Sequence, residues 1–336
     1  MLSVLYFSFN AIAPIIGLVI VGYAARTMGF LDPQTLKTLN RFNFRFCFTP
    51  MMFVNLYQMN ETSGVSAGLV LTILVTLLLL TAISLPLSGK ITSRRDRRGI
   101  LMQCMFRSNY AIIGLVLAET LAGNEGKALA SFCQLPTVLY FNVVSVLCLS
   151  AFSGSGEKPN PGKVVRELFT NPLIMGVLTG SAALLLRGVI PVRADGAPVF
   201  ALSRDLPWLY QIISYLSRIA TPLALIVMGG QLDLSREAIF QRELLAGVAL
   251  KLLVAPAIGL TLAFLSAGLG FFSMTPAVVA TLCAAYGTPA AAASAPMAAE
   301  MGADGQYAGQ IVVWTSIFSM GTLFLIVALL RALGQV

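Results

Sequence analysis

What constrains this chain most is a series of apolar runs, each about 20 residues long, that recurs from one end to the other. They lie at about 9 to 27, 39 to 60, 67 to 88, 100 to 121 and 128 to 152, then at about 171 to 191, 206 to 231, 243 to 266, 275 to 299 and 308 to 332. A run of that length is what a helix needs to cross the hydrocarbon core of a bilayer. The ten runs therefore predict an all-α polytopic membrane protein with ten transmembrane helices. With 57% hydrophobic and 11% charged residues, against roughly 25% charged in a soluble domain, a soluble enzyme is excluded. Two runs are less regular, because Arg41, Asn43 and Arg45 enter the second and Arg218 interrupts the seventh.

Several chemistries drop out by composition. The chain has no histidine, which removes a Ser-His-Asp triad, a histidine zinc site and a histidine proton shuttle. The five cysteines, Cys47, Cys104, Cys133, Cys148 and Cys283, are scattered through apolar stretches without C-x-x-C spacing. They read as buried free thiols, neither a disulfide framework nor a metal site. No basic n-region or small-residue cleavage site precedes the first run, which reads as a first helix and not a removed signal peptide.

The net charge of +8 is informative once it is sorted by loop. Of the 22 basic residues, 14 fall in the odd-numbered loops, among them the cluster Arg94, Arg95, Arg97 and Arg98, and 5 in the even-numbered loops and termini. Positive loops stay in the cytoplasm, so a multi-pass protein of the cytoplasmic (inner) membrane is expected, with both termini outside. The arginine cluster is read as a solvated topology signal, in preference to a lipid-headgroup or nucleic-acid site, and no nucleic-acid partner is expected.

The chain also repeats itself. Pro14-Ile15-Ile16 with Gly17 and Gly22 recurs as Pro172-Leu173-Ile174 with Gly176 and Gly180; Thr49-Pro50 recurs as Thr221-Pro222, and Pro86 as Pro256. Ala118-Glu119 with Gly123-Asn124-Glu125-Gly126 recurs as Ala299-Glu300 with Gly302-Ala303-Asp304-Gly305. Four matches in one order imply two five-helix repeats, 1–152 and 171–336, joined by a cytoplasmic linker at 153–170. An odd number of spans per half inverts the second repeat. Inverted repeats are a hallmark of secondary transporters, whose site lies at mid-membrane where discontinuous helices meet.

The most interrupted span of each half is the fourth. One carries Arg107-Ser108-Asn109-Tyr110-Ala111-Ile112-Ile113-Gly114, the other Tyr286-Gly287-Thr288-Pro289 through to Pro296. Pro289 and Pro296 each remove a backbone donor and clash with the preceding turn. The freed groups require protein or a watery cavity, and half-helix N-termini there favour an anion such as a carboxylate. The candidate substrate-binding residues are Asn109, Arg107, Gly114, Tyr286, Gly287, Thr288, Pro289, Asn55 and Asn142. Asn109 has two readings, ligand amide or packing glue between helices. Arg107 neutralises an anionic ligand or snorkels to the cytoplasmic surface. For Asn55, Asn142, Gln134 and Lys251 packing explains as much as binding. All 14 acidic residues lie in loops or near span ends, so no residue is singled out for coupling to protons or sodium.

These segments, together with Ala299-Glu300-Met301-Gly302-Ala303-Asp304-Gly305 and Gly309-Gln310-Ile311-Val312-Val313-Trp314-Thr315-Ser316, resemble the fourth and last two spans of the auxin efflux carrier family, whose bacterial members are often called malate permeases. Gly22-Tyr23, Asn171-Pro172-Leu173 and Met228-Gly229-Gly230 resemble the same pattern, so the likeness runs end to end. It implies ten spans in two inverted repeats with crossing fourth and ninth helices. It also implies scaffold helices 1, 2, 6 and 7, and transport helices 3–5 and 8–10 that move like an elevator. The implied substrates are small organic anions, including dicarboxylates such as malate and auxin-like acids. The motif positions put Asn109 beside the first crossover and Pro289 at the second. One departure is Val116, where family members usually carry proline after Gly114-Leu115.

The resulting expectation is a secondary active transporter of small carboxylates that is not an enzyme, whose partners are its substrate and the bilayer. It needs no cofactor; coupling to protons or sodium, and a homodimer, stay open. Two alternatives are carried with it: a carrier like the bile-acid and sodium symporters, and an anion sensor built on a transporter scaffold.

Overall fold

The computed structural model describes residues 2–58, 66–152, 166, 169–189, 199–235 and 241–334. The expected linker at 153–170 lies outside them except for 166, 169 and 170. Fourteen α-helices are described: α1 (Leu2–Thr27), α2 (Pro33–Phe42), α3 (Phe48–Tyr57), α4 (Ala67–Ile91), α5 (Arg95–Phe106), α6 (Leu115–Ala151), α7 (Pro172–Val189), α8 (Leu202–Asp205), α9 (Pro207–Gln231), α10 (Arg242–Ala249), α11 (Ala255–Gly268), α12 (Pro276–Leu282), α13 (Ser294–Glu300) and α14 (Gly305–Ala332). Wider π turns at Asn43–Cys47, Tyr110–Gly114, Leu250–Val254 and Cys283–Gly287 continue or extend several of them. Among the described residues there is no strand. The protein is thus all-helical, with five stretches long and apolar enough to cross a membrane: Ala67–Ile91, Tyr110–Ala151, Pro207–Gln231, Arg242–Gly268 and Gly305–Ala332.

The helix starts follow from local chemistry. Asp32 accepts from the Thr35 N–H ahead of Pro33, Thr275 from Val278 ahead of Pro276, and Asp304 from Tyr307, each supplying an acceptor for an orphan first-turn N–H. Helix α6 turns sharply at Ala122–Gly123, where Gly123 takes φ 62°, a conformation that favours glycine. The polar Gly123-Asn124-Glu125-Gly126 segment is therefore a corner between two helical arms.

Close packing joins the two halves. Helix α1 packs on α9 and α3 on α7, so the first segment of each half lies against the second of the other. At α1–α9 a Cβ on Gly22 would stand 1.9 Å from the Ile226 carbonyl oxygen, and one on Gly229 2.0 Å from that of Val19. Only glycine permits this approach. The irregular second segment is also explained here: Asn43 is fully buried and its Nδ2 donates to the Ala220 carbonyl at 2.8 Å, while Arg41, Arg45 and Arg218 stay exposed.

Contacts sort the connections into two ends. At one end Arg41 faces Glu300 at 3.8 Å, and Arg97 binds Glu243 at 2.6 Å and Asp304 at 2.9 Å; these join the odd-numbered connections. At the other end Arg187 Nη1 donates to the Tyr57 carbonyl at 3.0 Å, Gln58 to the Tyr210 hydroxyl at 2.7 Å and Ser66 to the Phe271 carbonyl at 3.1 Å, all in even-numbered connections. Between the ends, exposed apolar side chains such as Leu78, Leu185, Leu265 and Leu325 form an outer surface suited to lipid.

Candidate functional site

Two helices break at the same place. After α5, Arg107 is extended (φ −84°, ψ 102°) and Asn109 takes φ −77°, ψ 58° before the turn Tyr110–Gly114 leads into α6. After the turn Cys283–Gly287, Thr288 is extended (φ −75°, ψ 154°), as the residue before a proline tends to be. The extended pieces meet antiparallel, Ser108 against Ala290. Asn109 N–H donates to the Pro289 carbonyl at 2.8 Å and Ala291 N–H to the Arg107 carbonyl at 3.4 Å. Each break thus supplies partners that the other lost, the condition for broken backbone at membrane depth. Val116 is the second residue of α6 and half-exposed. The first break forms at Arg107–Asn109, seven residues or more before it, and does not depend on proline there.

Side chains pin the crossing. Ser108 Oγ donates to the Ala285 carbonyl at 2.6 Å and accepts from Lys251 Nζ at 2.5 Å. Thr315 Oγ1 accepts from Ala290 N–H at 3.2 Å. Gly114 lies against Ala284, where a Cβ would come within 3.1 Å of the alanine's own.

Above the crossing is a cavity of about 60 Å³. Phe48, Met51, Met52 and Asn55 of α3 and Thr221 of α9 form one wall; Arg107 to Ile112, Ala291 to Ala293, and Val138, Phe141 and Asn142 of α6 form the rest. The volume holds a few waters and is well below the 300–1,000 Å³ of a typical ligand pocket.

Of the expected residues, Asn109, Arg107, Asn55 and Asn142 come together around the cavity. Gly114, Tyr286, Gly287, Thr288 and Pro289 do not line it: Gly114 packs on Ala284, Thr288 Oγ1 turns back to the Ala284 carbonyl at 3.0 Å, and Tyr286 packs under Gly259. Arg107 does not snorkel. It is buried, with Nη2 donating to Asn142 Oδ1 at 3.0 Å and Nη1 directed at Met297 Sδ at 2.8 Å. Asn142 Nδ2 in turn donates to the Val138 carbonyl at 3.0 Å. The Asn109 side chain, 5% exposed, has no hydrogen-bond partner among the described residues and lines the cavity. Among the described residues no carboxylate pairs with Arg107 or Lys251. Nor does any group of three or more His, Cys, Asp or Glu side chains among them stand ready for a metal ion.

Residues 7–327 match the membrane transport protein family. The chain belongs to that family. It is the auxin efflux carrier-like group that the motifs resemble. The chain is also similar to an uncharacterized transporter of Methanothermobacter thermautotrophicus, 26% identical over 282 residues that cover 80% of this chain and 82% of the relative. As a member of the membrane transport protein family it is a multi-pass membrane transporter, which gives the crossing its context: broken, cross-paired helices beside a small, mostly apolar cavity that carries a few polar groups. Residues not anticipated from sequence are Met51, Met52, Ser108, Thr221 and Ala291 to Ala293. The sequence signals near them were the repeated Thr-Pro pair at Thr49 and Thr221 and the two interrupted segments that contain Ser108 and Ala291 to Ala293.

Proposed function

We propose that the protein carries small organic anions, carboxylates such as malate or other dicarboxylates and auxin-like acids, across the cytoplasmic membrane by alternating access. One observation carries this reading: an unpartnered Asn109 amide and a buried Arg107 guanidinium without a carboxylate face one cavity at the helix crossing. A buried charge is costly unless it is paired, and a carboxylate entering the cavity supplies the missing negative charge. Planar guanidinium suits bidentate carboxylate recognition, and Asn109 can donate a further bond.

The wider architecture is read as two inverted five-helix repeats, 1–152 and 171–336, with both termini outside. The reciprocal α1–α9 and α3–α7 pairs support it, as does the sorting of odd and even connections to opposite ends. The cavity lies between α3 and α9 on one side and the crossing on the other. It would therefore open and close as transport helices slide past scaffold helices.

A thermal-shift screen of the purified protein against mono- and dicarboxylates tests the site. Arg107→Gln and Asn109→Ala are expected to abolish a stabilisation that the unmodified protein gains, while unfolding cooperatively without ligand. Equal stabilisation of all three proteins by the same anion contradicts the assignment.

A further inference from the structure

The crossing holds a second buried cation that the cavity does not use. Lys251 lies in the π turn Leu250–Val254 between α10 and α11, is fully buried, and is not among the residues lining the cavity. An ammonium in a protein interior requires compensation, yet no carboxylate pairs with it among the described residues. Its Nζ donates to Ser108 Oγ at 2.5 Å, and Ser108 donates onward to the Ala285 carbonyl at 2.6 Å.

The ammonium therefore sits one hydroxyl away from both breaks. Helix α5 ends at Phe106, two residues before Ser108, and Ala285 belongs to the last turn before the second break. The final carbonyls of a helix carry partial negative charge. Such C-terminal ends and unwound carbonyls are also the groups that hold a sodium ion in carriers with discontinuous helices. Here a tethered ammonium stands at that kind of position.

We propose that Lys251 is the resident cation of the crossing: its ammonium holds the two broken helices together in place of a dissociable sodium ion, and the protein binds and moves its anion without sodium. A tethered cation travels with the protein and returns with it, so a sodium gradient has no ion through which to act. The transport half of this inference rests on the anion-carrier reading; the stability half does not.

Both halves are tested separately. Without substrate, purified protein is melted in sodium chloride, potassium chloride and N-methyl-D-glucamine chloride at equal ionic strength, alongside Lys251→Ala and Lys251→Met. The unmodified protein should melt at one temperature in all three salts. Lys251→Ala should melt several degrees lower and regain part of the loss in sodium chloride, or when methylammonium chloride is added as a fourth salt, since both cations fit the vacated space. Lys251→Met, which fills that space without charge, should melt lower and regain nothing. Specific sodium stabilisation of the unmodified protein, or Lys251→Met as stable as the parent, overturns the proposal. In proteoliposomes, carboxylate uptake should change less than twofold when N-methyl-D-glucamine replaces sodium; a tenfold loss overturns it. If no carboxylate moves in any salt, the anion-carrier reading fails, and the melting series still decides the role of Lys251.

Discussion

Asn109 and Arg107 present different chemistry to one cavity. The amide has spare donor and acceptor capacity, and the guanidinium has charge without a carboxylate partner. Removing the amide in Asn109→Ala should cost about 1–3 kcal/mol of ligand binding, roughly five- to 150-fold, since it deletes a hydrogen bond inside a desolvated site. Because Asn109 bonds no other side chain, the melting temperature without ligand should stay unchanged; isothermal titration with the best-bound carboxylate, beside a thermal melt, checks both. Asn109 was legible in the sequence as a polar residue beside a break in an apolar run. The outward-snorkelling alternative for Arg107 could be eliminated only once Asn142 and Met297 were seen around it. Tyr286, Gly287 and Thr288 border the second break in the sequence, but the extended backbone there turns the Thr288 hydroxyl back onto Ala284. The wall is built instead by Ala291 to Ala293, and alanines give no chemical signal in a sequence.

Among the elements, the α1–α9 contact is set by backbone proximity. Gly229→Val would place a branched side chain where a Cβ already lies 2.0 Å from the Val19 carbonyl oxygen. Overpacking typically costs about 1–3 kcal/mol, and here the clash is with backbone that cannot move aside, so size-exclusion chromatography should give an aggregated product. At the end of the molecule that joins the odd-numbered connections, Arg97 ties α5 to Glu243 of α10 and Asp304 ahead of α14, with its guanidinium 4.6 Å from the centre of the Tyr307 ring. Arg97→Gln leaves the partly buried Glu243 carboxylate without its ion-pair partner and Asp304 with Arg94 alone, and a melt should report a loss of about 1–3 kcal/mol. The hydrogen bond from Arg94 holds the Asp96 carboxyl below its ordinary 3.8. A lowered carboxyl stabilises the fold above its unfolded pKa and ceases to do so as pH falls through the folded one. The melting temperature should therefore be insensitive to this pair above about pH 5 and drop below about pH 4, with a shallower drop in Asp96→Asn. Loop charge had suggested a freely solvated arginine cluster; Arg97, with a side chain only 13% exposed, is instead part of the packing. Periodicity located the apolar runs, but it could not reveal the π turns or the extended pairing of the two breaks. Those depend on contacts across more than 170 residues, such as Ser108 with Ala285.

Three features meet in the molecule as a whole: family membership over residues 7–327, a pair of broken helices that satisfy each other's backbone, and a small cavity with an acid-free cation at its wall. On the proposed reading, an organic anion moves through this site, which opens in turn to either side of the membrane. The most direct measurement is counterflow of labelled malate, with other small carboxylates as a panel, into proteoliposomes preloaded with unlabelled anion. The account predicts accumulation by the unmodified protein that Arg107→Gln and Asn109→Ala reduce at least tenfold while remaining folded. No accumulation of any carboxylate by monodisperse, folded protein, or equal accumulation by both variants, would contradict it.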